Sequence, residues 1–427
     1  MMSLTGHLSE RGHSNVEAIM PKIKGAVGQR NLKANANIDL STAENWLIRP
    51  ELTGLCKTSI VENLSEIHFS YPIGFSGDPD LLEAYASFFN SYFHPHRRVE
   101  PSHLAVAPGA SGCIDSLLYN ICDPGDGILL PGPYWNGFDF GLRARVSVTP
   151  VLVSVPTLDA GLTSALIPAL EEALKTSTCS VKALMITNPH NPLALCYPKT
   201  VLENCLRFCQ KHKIHFISDE VYALSIFPNP EMPTPIPFTS VLSLDLVEMG
   251  VDTSRVHMVW SLSKDLGQSG FRMGCMVSQS NQEMSVGLAL ASMAQISGLS
   301  TVFTTALLKS PELLSLLALN SRRLSIAYAT LTGFLKSHDI PYIPCNAGIY
   351  VFARMCPAAR SWEDEASFVD RLKESGVLVS PGRAYHGPES EKGWMRVGFA
   401  VQPSDLAEAL RRMESVYDSS NRNLSVC

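Results

Sequence analysis

The alternation of apolar and polar positions divides the chain, from about Tyr71 onward, into short β-rich runs separated by stretches of helical period. Short continuous apolar runs closed by Gly, Pro or polar clusters predict strands covered on both faces. His103 to Ala107, Gly127 to Leu130, Val181 to Ile186, Ile214 to Ser218 and Val256 to Trp260 follow that pattern. Asp78-Pro79 reads as an N-cap with a first-turn proline and predicts a helix through Phe93. Gly109-Ala110-Ser111-Gly112 joins a strand to a helix, and Asp123-Pro124-Gly125-Asp126 predicts a turn. A long helix-like stretch runs from about Pro311 through Leu335, and a last helix from about Ser404 to Tyr417. The tail after Asp418 is polar and expected to fray.

Strands alternating with helices predict a mostly parallel α/β sheet, with ligands gathered at the carboxyl ends of the strands. The expected organisation is an N-terminal segment (1–55) joining a small domain, a large ligand-binding domain (56–310) and a C-terminal small domain (311–427). No internal repeat or low-complexity segment interrupts it.

Composition narrows the class. With 427 residues, 45% of them hydrophobic, the chain can bury a sizeable core and exceeds a typical single domain. Its 34 Lys plus Arg against 40 Asp plus Glu leave no basic stripe for displacing counterions from a duplex, so no nucleic-acid partner is expected. The 11 cysteines are irregularly spaced. The closest pair, Cys205 and Cys209, falls one turn apart on an amphipathic pattern, and no Cys-x-x-Cys exists, so free thiols are expected and no metal. Met1 to Val16 lacks the apolar core of a signal peptide, and no apolar stretch reaches the length of a membrane span. Leu424-Ser425-Val426-Cys427 is not a peroxisomal address. A cytoplasmic location with no membrane partner is the resulting expectation.

The residues able to do chemistry follow the strands. Lys264 stands in Ser261-Leu262-Ser263-Lys264-Asp265, with Gly267, Gly270 and Arg272 after it. A lone loop lysine is ordinarily a solvated charge, but a nearby serine and arginine suit a phosphate. Asp219 ends a strand, with Tyr222 three residues on. That pair reads either as a helix N-cap and a packed ring, or as a buried acid facing a ring nitrogen with a phenol beside it. Thr187-Asn188-Pro189-His190-Asn191-Pro192-Leu193 is a Pro-rich turn whose Asn191 can serve the local backbone or a ligand oxygen, and His190 reads as a loop residue rather than a base. The amides of Ala110 and Ser111 at a helix start can hold an anion, although Gly/Ser loops are common. Trp135, in Pro133-Tyr134-Trp135, is a core aromatic or a stacking surface. Arg396 lies in an apolar run and needs a partner, either a substrate carboxylate or an internal acid. As a set these groups match the demands of pyridoxal 5'-phosphate: an amine for the aldehyde, an acid for the pyridine nitrogen, donors for the phenolate, and amides with a cation for the phosphate.

In this order the motifs resemble the class I and II aminotransferases among fold-type I pyridoxal-phosphate enzymes, most closely the 1-aminocyclopropane-1-carboxylate (ACC) synthase-like branch. Ser-Leu-Ser-Lys-Asp followed by Gly-Phe-Arg, Ala43-Glu44-Asn45, Asn346-Ala347-Gly348-Ile349-Tyr350, Ser380-Pro381-Gly382 and Trp394-Met395-Arg396-Val397 carry the resemblance, which spans roughly Ala43 to Ala400. It implies an aspartate aminotransferase-like α/β fold with a seven-stranded, mostly parallel mixed sheet, a smaller α/β domain, and a homodimer. It implies that Lys264 bonds the cofactor and shuttles the proton, and that Asp219 pairs the pyridine nitrogen. Tyr222 and Asn191 would serve the phenolate; Ser261, Arg272, Ala110 and Ser111 the phosphate; Trp135 the ring face; Arg396 the substrate carboxylate. Glu44 would line the substrate pocket.

Three positions depart from the family. Phe75 stands where a tyrosine usually reaches the neighbouring subunit's phosphate, Ala194 replaces a motif glycine, and Tyr134-Trp135 replaces a Tyr-Tyr pair. The implied activity is chemistry at the α-carbon of an amino acid or amino-acid-derived metabolite. Aminotransferase-type reaction ranks first. Carbon–sulfur β-lysis, as in fungal sulfur-containing secondary-metabolite (mycotoxin) pathways, is next, and ACC synthesis third. A non-catalytic pyridoxal-phosphate-binding regulator is the alternative of a different class.

Overall fold

A computed structural model of the chain describes residues 8–24, 37–293 and 296–422. The strands are β1 (Ile38–Asp39), β2 (Leu104–Pro108), β3 (Gly127–Pro131), β4 (Thr149–Val153), β5 (Val181–Thr187), β6 (His215–Asp219), β7 (Val256–Ser261), β8 (Met273–Val277), β9 (Tyr350–Ala353), β10 (Val377–Leu378), β11 (Ser380–Pro381) and β12 (Met395–Gly398). Seven of them form one sheet in the order β2-β8-β7-β6-β5-β3-β4. Its pairs are parallel except those made by β8, which runs antiparallel to β2 and to β7. The expected mixed seven-stranded sheet is therefore present.

The apolar runs are unbroken because helices cover both faces. Every residue of β3, β7 and β8 is buried. Along β3 and β5, Leu129, Leu184 and Ile186 pack into one core, while Ile128, Leu130, Ala183 and Met185 point into another on the opposite face. The helix Pro79–Tyr92 starts as expected, with Asp78 accepting from the Asp80 and Leu81 amides at 3.0 and 3.3 Å. Its Phe88 meets Trp260 of β7 at a ring-centroid distance of 4.7 Å, and Tyr85, Phe89 and Phe93 surround the same indole. Deleting one such buried ring costs about 3–5 kcal/mol, so β7, which leads into Lys264, is firmly anchored.

A second body gathers around β9, β11 and β12, an antiparallel sheet. The parallel pair β1 and β10 lies beside it, so residues near the start of the chain share a core with the C-terminal part: Leu40 and Leu47 pack with Val351, Val397 and Phe399. The earlier helix Glu10–Lys24 lies instead against the helix Phe138–Ala144, Asn15 donating to the Ala144 carbonyl at 2.9 Å.

Several expectations need correction. The helix Glu10–Lys24 was not among the expected elements, although Val16, Ile19, Met20 and Ile23 recur at helical spacing within it. The long helix spans Leu313–Ser337 rather than starting at Pro311. The last helix runs Pro403–Arg422, past the expected end, since the short polar residues after Asp418 include no Gly or Pro to stop it. Leu424 to Cys427 lies outside the described residues. Cys205 and Cys209 are buried free thiols on the helix Lys199–His212 as expected, but Cys356 is disulfide-bonded, which spacing along a sequence cannot reveal. Among the described residues no single helix is long and apolar enough to cross a membrane.

Candidate active site

The carboxyl ends of β5, β6 and β7 lie side by side, and each delivers a candidate residue. Thr187 of β5 pairs in register with Asp219 of β6, which is aligned in turn with Val259 of β7. Lys264 follows β7 on the one-turn helix Leu262–Asp265, whose N-cap is Ser261: its hydroxyl accepts from the Ser263 amide at 3.4 Å.

Asp219 is fully enclosed. One carboxylate oxygen accepts from the Thr187 hydroxyl at 3.3 Å, while Oδ1 is buried without a hydrogen-bond partner. Burial pushes its pKa up to about 7, against the lowering pull of Thr187, the Val221 amide and Lys264. An orphaned carboxylate oxygen in such a place needs a donor, and a protonated ring nitrogen is one. Of the two readings open at Asp219 and Tyr222, the helix N-cap fails, because no helix follows β6 there. Tyr222 is buried, its ring edge-on to Tyr350 at 5.4 Å, and burial holds its phenol well above the ordinary range.

Lys264 donates from Nζ to the Ala43 carbonyl at 2.5 Å. Burial and then the Arg396 charge lower its pKa to about 8, with Glu44 and Asp219 pulling the other way. Arg396 on β12 is buried, donating from Nη1 to Asn191 Oδ1 at 3.0 Å and from Nη2 to the Ser41 carbonyl at 2.6 Å. Its guanidinium lies over the rings of Tyr350 and Tyr385, at 4.7 and 5.4 Å from their centroids. Of the two partners considered for Arg396, an internal acid, Asp39, attracts it electrostatically, while the direct contacts are neutral oxygens and π-faces that leave its remaining N–H donors for an anion. Asn191 commits its oxygen to Arg396, so what it offers a ligand is its Nδ2 donor.

A cradle for a phosphate forms where β2 turns into the helix Gly109–Ile121. Gly109 has φ +73°, and a Cβ there would lie 2.5 Å from Arg272 Nη2. Gly274 of β8 passes so close that a Cβ would stand 2.4 Å from the Gly109 carbonyl carbon and 2.7 Å from the Ala110 nitrogen. Arg272 donates to the Ser269 and Pro108 carbonyls at 2.8 and 3.1 Å, which fixes it beside the Ala110 and Ser111 amides. The residues present therefore fit the cofactor inferred from sequence at its amine, ring-nitrogen and phosphate ends.

Other expected residues sit differently. Trp135 is at the rim, 37% exposed, edge-on to Phe138. Neighbouring Tyr134 donates to Asp139 at 2.8 Å, and the other Asp139 oxygen meets His386 Nε2 at 2.8 Å, tying this loop to the turn after β11. Glu44 has its carboxylate engaged by the Ser269 hydroxyl at 2.6 Å and by Arg49 at 3.1 Å. Burial raises its pKa, but Ser269 and Arg49 outweigh that and hold it below the ordinary range. His190 is buried with Nδ1 accepting from the Leu193 amide, a structural residue as expected. Ala194 keeps φ +56°, the conformation its missing glycine would favour. Phe75 is 60% exposed on the wall of a separate cavity of about 680 Å³ that it shares with Tyr71, Ile73 and Val302. Tyr350 and Tyr385 had no expected role; Tyr350 closes the Asn346-Ala347-Gly348-Ile349-Tyr350 motif, which was the available signal, while Tyr385 lies outside every motif named above.

Comparisons with known proteins bear on this arrangement. The family described as aminotransferase class I and II matches residues 65–413. A protein of Aspergillus oryzae named "Probable aminotransferase aclI" is 53% identical over 416 residues, covering 97% of this chain and 99% of that one. A mouse protein named "Probable inactive 1-aminocyclopropane-1-carboxylate synthase-like protein 2" is 32% identical over 88% of this chain and 65% of its own, in keeping with the branch suggested by the motifs. Among solved structures, a single mutant of Thermus thermophilus aspartate aminotransferase superposes with a TM-score of 0.75 at 22% identity, covering 96% of this chain and 99% of that one.

Proposed function

The chain belongs to the class I and II aminotransferases, and on that premise we propose that it binds pyridoxal 5'-phosphate at Lys264 and transfers the amino group of an amino acid or amino-acid-derived metabolite. The observation that carries the reading is the buried, unpartnered Oδ1 of Asp219 on the strand beside the one leading to Lys264.

When bound, this cofactor supplies an aldehyde for the amine and a ring that accepts the electron pair released at Cα. The chain's residues do the rest. Asp219 holds a proton on the ring nitrogen, which keeps that ring electron-poor. Asn191 Nδ2 and the Tyr222 hydroxyl donate to the phenolate oxygen. Arg272, Ser261 and the Ala110 and Ser111 amides hold the phosphate, and Trp135 covers the ring from the rim. Arg396 takes the substrate carboxylate bidentately, which orients the Cα–H bond toward Lys264. The Lys264 amine then removes that proton and returns it at the neighbouring position, a role in which a placed base contributes about 10²–10⁴-fold. Glu44, next to Ser269, borders the substrate's side-chain space.

In this reading residues 56–310 form the large domain, and the segment from β1 to Leu47, though not the helix Glu10–Lys24 before it, joins 311–427 in the small one, as the pairing of β1 with β10 supports. A second copy of the chain covers the exposed row Phe69, Tyr71, Ile73 and Phe75. A monomer by light scattering would rule that out.

The deciding experiment mixes purified protein with pyridoxal phosphate. A visible band, trapped by borohydride as a mass increment on the peptide containing Lys264, is expected, followed by amino-group exchange with a 2-oxoacid acceptor. A protein that gains no absorbance, or is labelled elsewhere, would sink the reading. Release of pyruvate and a thiol from cysteine conjugates without amino-group exchange would replace transfer by carbon–sulfur lysis.

A further inference from the structure

Asp265 follows Lys264 directly and has no part in the chemistry above. It is completely buried, and its carboxylate collects donors from two segments. Oδ1 accepts from the Ser225 hydroxyl at 2.6 Å; Oδ2 accepts from the Leu224 amide at 3.0 Å and from Trp260 Nε1 at 2.8 Å. Its main-chain oxygen accepts from Asn320 Nδ2 at 3.3 Å. Asn320 Oδ1 accepts from Asn45 Nδ2 at 2.9 Å, and Asn45 Oδ1 from the Leu47 amide at 3.1 Å, both asparagines being fully buried. One residue is thus tied to β7, to the loop that follows Asp219 and carries Tyr222, and through Asn320 to the segment whose Ala43 carbonyl meets Lys264.

Local structure alone does not supply that alignment. Lys264 stands on a four-residue helix, too short to be stable by itself. The chain from Glu220 to Ser225 is irregular, so its place relative to Lys264 depends on what bridges the two. An apolar side chain would fill the space at lower cost than a buried carboxylate, whose desolvation must be offset by its donors. Packing alone therefore does not account for an acid here.

We propose that Asp265 is a positioning residue that fixes the Lys264 amine against Asp219 and Tyr222 for proton transfer at the substrate α-carbon. The proposal rests on the reading of Lys264 as the cofactor lysine. Its test uses two substitutions that differ in what they preserve. In Asp265→Asn the amide oxygen can accept from Leu224 and Trp260 while the amide nitrogen donates to Ser225, so all three contacts survive without charge. Asp265→Ala keeps none.

Two quantities are measured: α-proton exchange of an amino acid in D2O, with its KM, on the holoenzyme; and backbone hydrogen exchange over residues 222–226 on the cofactor-free chain. For Asp265→Ala, α-proton exchange falls by about 10²-fold at nearly unchanged KM, the size of a misplacement of about 1 Å, and protection over 222–226 is lost. Asp265→Asn stays within a few-fold of wild type in both. Equal losses in the two variants would overturn the proposal, since charge rather than geometry would then matter. Wild-type behaviour of Asp265→Ala would overturn it too. If Asp265→Ala does not fold, Ser225→Ala removes one contact only; it is expected to weaken protection and slow exchange by several-fold, and unchanged values would overturn the proposal. Failure of the wild type to take up pyridoxal phosphate would refute the cofactor reading instead, and the cofactor-free hydrogen exchange would still decide whether Asp265 pins the loop.

Discussion

Lys264 has to lose its charge before it can attack an aldehyde, and its surroundings say at which pH it does so. Burial, with Arg396 next, lowers its pKa to about 8, while Glu44 and Asp219 work in the opposite direction. At pH 7 roughly one amine in ten is then free base, against roughly one in 2,500 for an ordinary lysine, a difference of about two hundred-fold. The assay mixes cofactor-free protein with limiting pyridoxal phosphate from pH 6 to 10 and follows the visible band. The capture rate should climb about tenfold per pH unit below about 8 and flatten above it. Removing the neighbouring cation with Arg396→Met should move the break upward, because the ammonium form is then less opposed. The same shift has a stability consequence. Its folded pKa lies below its unfolded one, so the unfolded chain binds more protons between about 8 and about 10.4, and stability from this group rises with pH across that window. Lys264→Met should therefore melt higher than cofactor-free wild type at pH 7, with the advantage fading by pH 10. A capture rate that rises without a break through pH 10 would refute the argument.

Other outcomes follow from the same geometry. Asp219→Asn should still form the visible band but lose about 10²–10⁴-fold in α-proton exchange, the equivalent of about 3–5 kcal/mol for breaking a buried charge pair; a loss under tenfold would remove Asp219 from the ring nitrogen. Arg396→Gln should raise KM for an amino acid by about 10–100-fold, from about 1.5–3 kcal/mol of charged hydrogen bonding, and leave capture of an amine without a carboxylate unchanged. Gly274→Ala drives a methyl against the Gly109–Ala110 backbone. It should weaken pyridoxal-phosphate binding by about 1–3 kcal/mol in a fluorescence titration while Lys264 stays reactive.

The sheet was legible because its strands are buried on both faces, which writes them as apolar runs, and because turn residues punctuate them. The site was legible in pieces: Lys264, Asp219 and Arg396 each follow or sit in such a run, where a charge has to be explained. What could not be read were contacts closed across the fold. Nothing near Arg396 in the chain announces the Ser41 carbonyl, the Asn191 oxygen or the Tyr350 face that hold it. Asp265 was in plain view in the quoted segment, yet its donors at Leu224 and Ser225 lie far off in sequence. The helix Glu10–Lys24 was legible as well, in Val16, Ile19, Met20 and Ile23 at helical spacing, but what it packs on, the helix Phe138–Ala144, lies more than a hundred residues away.

The hold of Ser41 on Arg396 joins residues 355 positions apart. A ribosome adding about 5–20 residues per second needs about 20–70 s to make the second after the first. Over that interval the central sheet, complete at Val277, can close around its own core, whereas Leu40 and its neighbours have no finished partner and stay available to chaperones and proteases. A premature stop between Lys264 and β12 would leave a chain holding Lys264 and Asp219 but no carboxylate clamp. The protein thus acquires the means to capture an aldehyde earlier in its life than the means to recognise an amino acid.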